Sequence, residues 1–320
     1  MVIDSLWLSD IGKIDVRSSE ISDEPEYDEV QIEIKACGIC TGDIAMWTGV
    51  TKKKIPMPYQ FGHEAVGIVI KAGRGVKLLK PGNKVIVAGG GSLMSQVANV
   101  RENICGRIPD TVTDYELWIG EPVVCVVSAL ANCPVEIGDF VVLIGTGYMG
   151  LLNTMGYLGC LISRLICFDI NDERLSIARS YGASEVYNLS SPEAEKVIDE
   201  IKRNGGADLI CECTGVEAAL NLSYSLMKTS GKLNQFAWHR RVCSYDATQQ
   251  HLGGWKVYNT SPFIDSHIED RIAQTAKLMS IGKFCQKRLI THVVQYKEAQ
   301  DLMKIAANKN DGYIKGVINF

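Results

Sequence analysis

At 320 residues the chain is longer than one typical domain, so two are expected. Its 46% hydrophobic and 22% charged residues are ordinary globular usage, enough to build a large core. A net charge of −4, with Lys52-Lys53-Lys54 as the longest basic cluster and read as a solvated loop, argues against nucleic acid as a main partner.

The eleven cysteines are odd in number and many sit in apolar runs, which points to free thiols in a reducing compartment. Met1-Val2-Ile3-Asp4 lacks the basic-then-apolar pattern of a signal peptide, so a cytoplasmic protein is expected. Residues 140 to 163 carry no charge, a length that raises the question of a membrane span. Five glycines with Asn153 and Thr154 in that stretch fit a strand, a glycine turn and a buried helix better, and no membrane partner is expected.

In chain order, Val30-Gln31-Ile32-Glu33-Ile34 alternates as a half-buried strand does. It runs into Lys35-Ala36-Cys37-Gly38-Ile39-Cys40-Thr41-Gly42-Asp43. Phe61-Gly62-His63-Glu64 is a turn leading into a strongly apolar strand through Ile70. Lys80-Pro81-Gly82-Asn83-Lys84 is turn chemistry, and Val85-Ile86-Val87 is another strand. The first 120 residues therefore read as mainly β.

From about Val124 strands and helices alternate, which means a parallel, doubly wound α/β sheet. The strands are Phe140–Ile144, Leu165–Phe168, one beginning at Glu185, and Ala207–Cys213 with Thr214-Gly215 at its carboxyl end. Helices are expected over Asn171–Tyr181 and Glu193–Arg203. The tail offers Ile290–Val294, a helix over Lys297–Ala307 and a strand over Tyr313–Ile318.

Between the first two of those strands lies Gly145-Thr146-Gly147-Tyr148-Met149-Gly150, a G-x-G-x-x-G segment that follows a strand and opens an apolar helix. One glycine allows the tight turn, one lets backbone approach a pyrophosphate, and one lets helix pack on strand. The helix aims its N-terminal amides at the phosphates. Asp169, nineteen residues after Gly150 at the end of the next strand, completes a dinucleotide fingerprint.

His63 stands between a glycine and a glutamate at a strand mouth, with Cys37-x-x-Cys40 upstream. Cysteine, histidine and a carboxylate are the ligand types of a catalytic zinc. The cysteine pair also admits half of a structural zinc site or a redox pair, although no second short-spaced pair occurs.

Cys37-Gly38-Ile39-Cys40-x-x-Asp43, Gly62-His63-Glu64-x-x-Gly67, Glu121-Pro122 and the glycine segment occur in that order. Together they resemble the zinc-dependent medium-chain alcohol dehydrogenase family, and within it the polyol (sorbitol) and threonine dehydrogenase branch. The resemblance implies a Rossmann cofactor domain, residues 125–261, inserted into a mainly β, GroES-like catalytic domain, residues 1–124 and 262–320. It implies Cys40 and His63 as zinc ligands, Glu64 as a ligand or alternating partner for water, and Glu121 as the remaining carboxylate. Glu121 also admits the plainer reading of a helix N-terminal charge. Asp43 becomes the acid that orients His63. The cofactor side comprises Gly145, Gly147, Tyr148, Met149, Gly150, Asp169, Thr214 and Phe236, with Asp169 favouring NAD over NADP.

The implied activity is hydride transfer between NAD and a secondary alcohol, most similar to polyol or sugar-derived alcohols, in a homodimer or homotetramer. Three departures stand out. Where the family has the hydroxyl residue that starts its proton relay this chain has Gly42, leaving Thr41, a water or another group to serve. The place of the four-cysteine structural zinc lobe, Gly89–Arg107, holds only Cys105, so one zinc per chain is expected. Phe236-Ala237-Trp238-His239-Arg240-Arg241 replaces the usual glycine-rich segment after the fourth strand, where nicotinamide and substrate would meet. A zinc-free quinone or enone reductase of the same fold, and a non-catalytic NAD-binding protein, are the competing readings.

Overall fold

Strand pairing divides the chain into two units, Met1–Val124 with Glu269–Phe320, and Cys125–Ile268. The computed structural model describes residues 1–51 and 55–320, so the Lys52-Lys53-Lys54 cluster lies outside the described residues.

In the first unit, Glu29–Gly38 is the central strand of a seven-stranded sheet. It pairs antiparallel with Glu64–Ala72, with Val97–Arg101 near its start and with Lys315–Asn319 near its end. Partners on both edges and layers on both faces make it more buried than its alternating sequence predicts. Val30, Gln31 and Ile32 are all enclosed. The donor half of the buried Gln31 amide is satisfied, its nitrogen donating to Asn99 Oδ1 at 3.0 Å and to the Ser22 carbonyl at 2.9 Å. The tail helix is Ala299–Asn308, preceded by a 3₁₀ turn, and supplies Leu302, Met303 and Ala306 to the same core.

The second unit holds six parallel strands, in spatial order Glu185–Asn188, Arg164–Asp169, Phe140–Ile144, Ala207–Glu212, Met227–Gln235, Lys256–Asn259. Taken by chain position that is 3-2-1-4-5-6, the doubly wound dinucleotide-binding order. Leu143 lies in register between Cys167 and Cys211, and apolar strands covered on both faces form the core with Leu220, Tyr224 and Leu226. Asn171 and Ser191 are helix caps: each side chain accepts a backbone N–H three residues on, and the helices run Asp172–Tyr181 and Pro192–Arg203. Pro192 fits the first helical position, where no N–H is needed. Asp265 accepts from Ser128 Oγ at 2.7 Å and from Asn132 Nδ2 at 2.9 Å, holding its segment to this unit.

The uncharged stretch resolves into the Phe140–Ile144 strand, the glycine turn and the Tyr148–Leu158 helix. No helix among the described residues is long and apolar enough to cross a membrane. Gly145 adopts φ +97°, and a Cβ on Gly150 would lie 1.8 Å from the Gly145 carbonyl oxygen. Helix and strand are therefore packed to backbone contact. Gly150→Ala is expected to cost about 3 kcal/mol or more by overpacking. A lowered denaturant midpoint at unchanged slope reads that cost directly.

Candidate metal centre and dinucleotide turn

The central strand ends with Cys37 held between Ala65 on one neighbour and Ile318 on the other. Its side chain enters the core, and burial, then the charges of Glu64 and Asp43, push its thiol well above the usual range. A thiol kept protonated in apolar surroundings is inert. Cys40 is the available member of the pair.

Cys40 caps the helix Thr41–Trp47. Its Sγ accepts from the Gly42 N–H at 3.4 Å, and Asp43 Oδ2 accepts from the Cys40 N–H at 2.9 Å. This reciprocal capping box fixes the direction of the thiol. His63 and Glu64 arrive from the turn entering the next strand. Cys40, His63 and Glu64 each offer one donor atom, and these atoms lie within 4.8 Å of one another.

Asp43 is fully buried, with Oδ1 lacking a hydrogen-bond partner among the described residues and lying 3.9 Å from His63 Nδ1. That is close but longer than a hydrogen bond. Burial raises Asp43 to about 6, against the His63 charge and the Cys40 N–H. Around His63 burial disfavours the charge, but the Cys40 hydrogen bond and the charges of Glu64, Asp43 and Glu121 prevail and push it up to about 10. A pocket that forces a proton onto an imidazole is short of positive charge. One divalent cation would supply it, and the Cys, His and carboxylate donors suit zinc.

Glu121 opens the helix Glu121–Asn132, half-buried; it stands outside the three-residue group, but its charge reaches His63. Thr41 is exposed at the first helical position. A Cβ on Gly42 would lie 3.7 Å from Cys40 Sγ, an ordinary contact, so a hydroxyl side chain fits there.

Lys315 is the residue that sequence reasoning missed. Its Nζ lies 2.5 Å from Glu64 Oε2 and 2.8 Å from the Ile39 carbonyl, with both charged side chains buried. Gly38 makes the room: a Cβ there would sit 2.2 Å from Glu64 Oε2. The signal was a lysine inside the apolar run Ile314-Lys315-Gly316-Val317-Ile318.

In the second unit, Asp169 Oδ2 accepts from the Thr146 N–H, and Oδ1 accepts from the Ile170 and Asn171 N–H groups at 2.7 and 3.0 Å. The carboxylate thus ties the glycine turn to the end of the next strand. Tyr148 is buried and Met149 half-buried in the first helical turn, while a Cβ on Gly147 would meet nothing within 4 Å. Thr214 faces the turn: its Cγ2 would lie 2.5 Å from a Cβ on Gly145. Its N–H donates to Glu212 Oε1 at 2.6 Å. Half-buried Phe236 donates its N–H to the Glu212 carbonyl at 3.2 Å. The turn and Thr214 follow adjacent strands at the point where strand order reverses, the place where open α/β sheets bind ligands.

Two family models match the chain, "Alcohol dehydrogenase GroES-like domain" over residues 26–162 and "Zinc-binding dehydrogenase" over residues 144–263. The chain is 25% identical over 241 residues to a sorbitol dehydrogenase of Ovis aries, covering 66% of this chain and 68% of that protein. It is 23% identical over 344 residues to a D-xylulose reductase of Saccharomyces cerevisiae, covering 96% and 95%. A structure from Sinorhizobium meliloti 1021 bound to NADP superposes with a TM-score of 0.83 at 22% identity, covering all of both chains.

Proposed function

The chain belongs to the zinc-type medium-chain alcohol dehydrogenase family, and on that premise we propose that it transfers a hydride between NAD(H) and a polyol or sugar-derived secondary alcohol. The observation that carries this reading is the convergence of Cys40, His63 and Glu64 donor atoms within 4.8 Å. One zinc ion per chain, held by those residues with Glu121 at hand, would supply Lewis-acid polarisation of an alcohol oxygen. Buried Asp43, 3.9 Å from His63 Nδ1, would help orient that ring, and Lys315 pairs with the Glu64 carboxylate and would hold it in place. The glycine turn, its helix N-terminus and Thr214 would seat the dinucleotide. The sorbitol and D-xylulose names of the relatives support a polyol as the substrate class.

Asp169, held by three backbone amides, offers a fixed negative charge where a 2′-phosphate would stand, which supports NAD. The expected preference for NAD over NADP is about tenfold or more in kcat/KM, some 1.4 kcal/mol. A panel of polyols and secondary alcohols, followed by nicotinamide reduction with both cofactors and with zinc measured on the same sample, tests both claims. Full turnover in zinc-free protein, or no alcohol oxidation by zinc-loaded protein, would overturn the reading, and NADP preference would overturn the role of Asp169.

Gly42→Ser restores a hydroxyl beside Cys40 without a clash. The variant is expected to fold and load zinc as the parent does, and to raise kcat about tenfold by general acid–base relay. An unchanged kcat would mean that Thr41 or water already moves the proton.

A further inference from the structure

We propose that Cys243, His239 and Glu212 form a nucleophilic thiol site in the second unit, one that exchanges with acidic low-molecular-weight disulfides. It shares no residue with the Cys40, His63 and Glu64 group.

Glu212 ends the fourth strand of the parallel sheet and is fully buried. Its Oε1 accepts from the Thr214 N–H, the Thr214 hydroxyl and the Gly215 N–H. Oε2 lies 2.8 Å from His239 Nε2. A carboxylate surrounded by donors is an acceptor, so Nε2 carries the proton of that bond. In the neutral imidazole that leaves the lone pair on His239 Nδ1. Cys243 Sγ is 3.4 Å from that Nδ1, nearer than its alternative acceptor, the Arg241 carbonyl at 3.7 Å. Thiol, imidazole and oriented acid therefore stand in line, the arrangement that activates a nucleophile.

Access and charge point to the partner. The His239 ring is nearly buried, whereas Cys243 is half-buried on a surface segment that exposes Trp238, Arg240, Arg241 and Val242. Arg240 and Arg241, three and two residues before Cys243 on this exposed segment, favour a disulfide carrying carboxylates. In the exchange, His239 Nδ1 takes the thiol proton and the Cys243 sulfur attacks one sulfur of the disulfide. The new S–S bond forms as the old one breaks, Cys243 is oxidised, and the departing half leaves as a thiolate that recovers the proton from Nδ1. No further oxidant is required.

The test uses zinc-loaded protein and glutathione disulfide at neutral pH, with peptide mass mapping to follow Cys243 and the exposed Cys285 in one sample. Cys243 is expected to be modified at least about tenfold faster than Cys285, and faster by glutathione disulfide than by cationic cystamine. His239→Asn is expected to bring Cys243 down to the rate of Cys285 while leaving Cys285 unchanged. Equal or slower modification of Cys243 in the parent protein would overturn the proposal, and that comparison needs no variant. An unchanged Cys243 rate in a folded His239→Asn protein would overturn it as well.

Discussion

Cys40→Ser is expected to abolish both metal loading and turnover, with zinc falling from about one equivalent per chain to under about 0.1. The accompanying loss in kcat/KM is on the order of 10³-fold, about 4 kcal/mol of transition-state stabilisation. The two cysteines of the Cys37-x-x-Cys40 pair separate here. Cys37 is enclosed in the core with its thiol pushed up, whereas Cys40 is turned by the helix cap toward His63 and Glu64. Cys37→Ser is therefore expected to keep its zinc and to lose about 1–3 kcal/mol of stability, because a hydroxyl is buried among apolar groups. Metal analysis and unfolding midpoints on the two variants distinguish the roles. If Cys40→Ser retained both zinc and activity, the metal centre assigned to Cys40, His63 and Glu64 would be wrong.

The second large effect is expected at Lys315. Lys315→Met leaves the Glu64 carboxylate buried with its cationic partner gone, which costs about 3–5 kcal/mol. Both side chains are nearly inaccessible, at 5% and 3%, so solvent cannot take over the role of the ammonium. Zinc can. The loss is expected to be largest in chelator-treated protein and smaller in zinc-loaded protein, since the metal offers the same carboxylate another positive charge. Unfolding midpoints with and without zinc measure the difference. Lys315→Met/Glu64→Leu, which removes both charges, should recover much of the stability without recovering activity. A single variant as stable as the parent when metal-free would show that Glu64 has another counter-charge.

The second unit was legible because its signals are local. Continuous apolar pentamers, helices capped by Asn171 and Ser191, and a glycine turn are each written within a few residues, and their alternation gives a parallel doubly wound sheet, whose 3-2-1-4-5-6 order only the structure shows. Asp169 was found by its place after a strand. What the sequence did not disclose is that both carboxylate oxygens already bind backbone N–H groups, so the residue shapes the turn as well as facing it. Glu212 was passed over although it resembles Asp169, an acid closing an apolar strand. No spacing rule connects it to His239 and Cys243, which return to it only after the fifth strand has been laid beside the fourth.

Residue types and their order along the chain were enough to determine the α/β cofactor unit, the glycine turn and a Cys, His and carboxylate donor set, because each depends on neighbours in sequence or on chemistry a side chain carries alone. Only the tertiary structure decided that Cys37 is enclosed in the core, that Glu64 is paired across 251 positions with Lys315, and that a thiol in the cofactor unit is lined up with a histidine and a buried acid. The reason is physical: burial removes water as the default partner of every charge and every thiol, and which group replaces it is set by strands that meet in space.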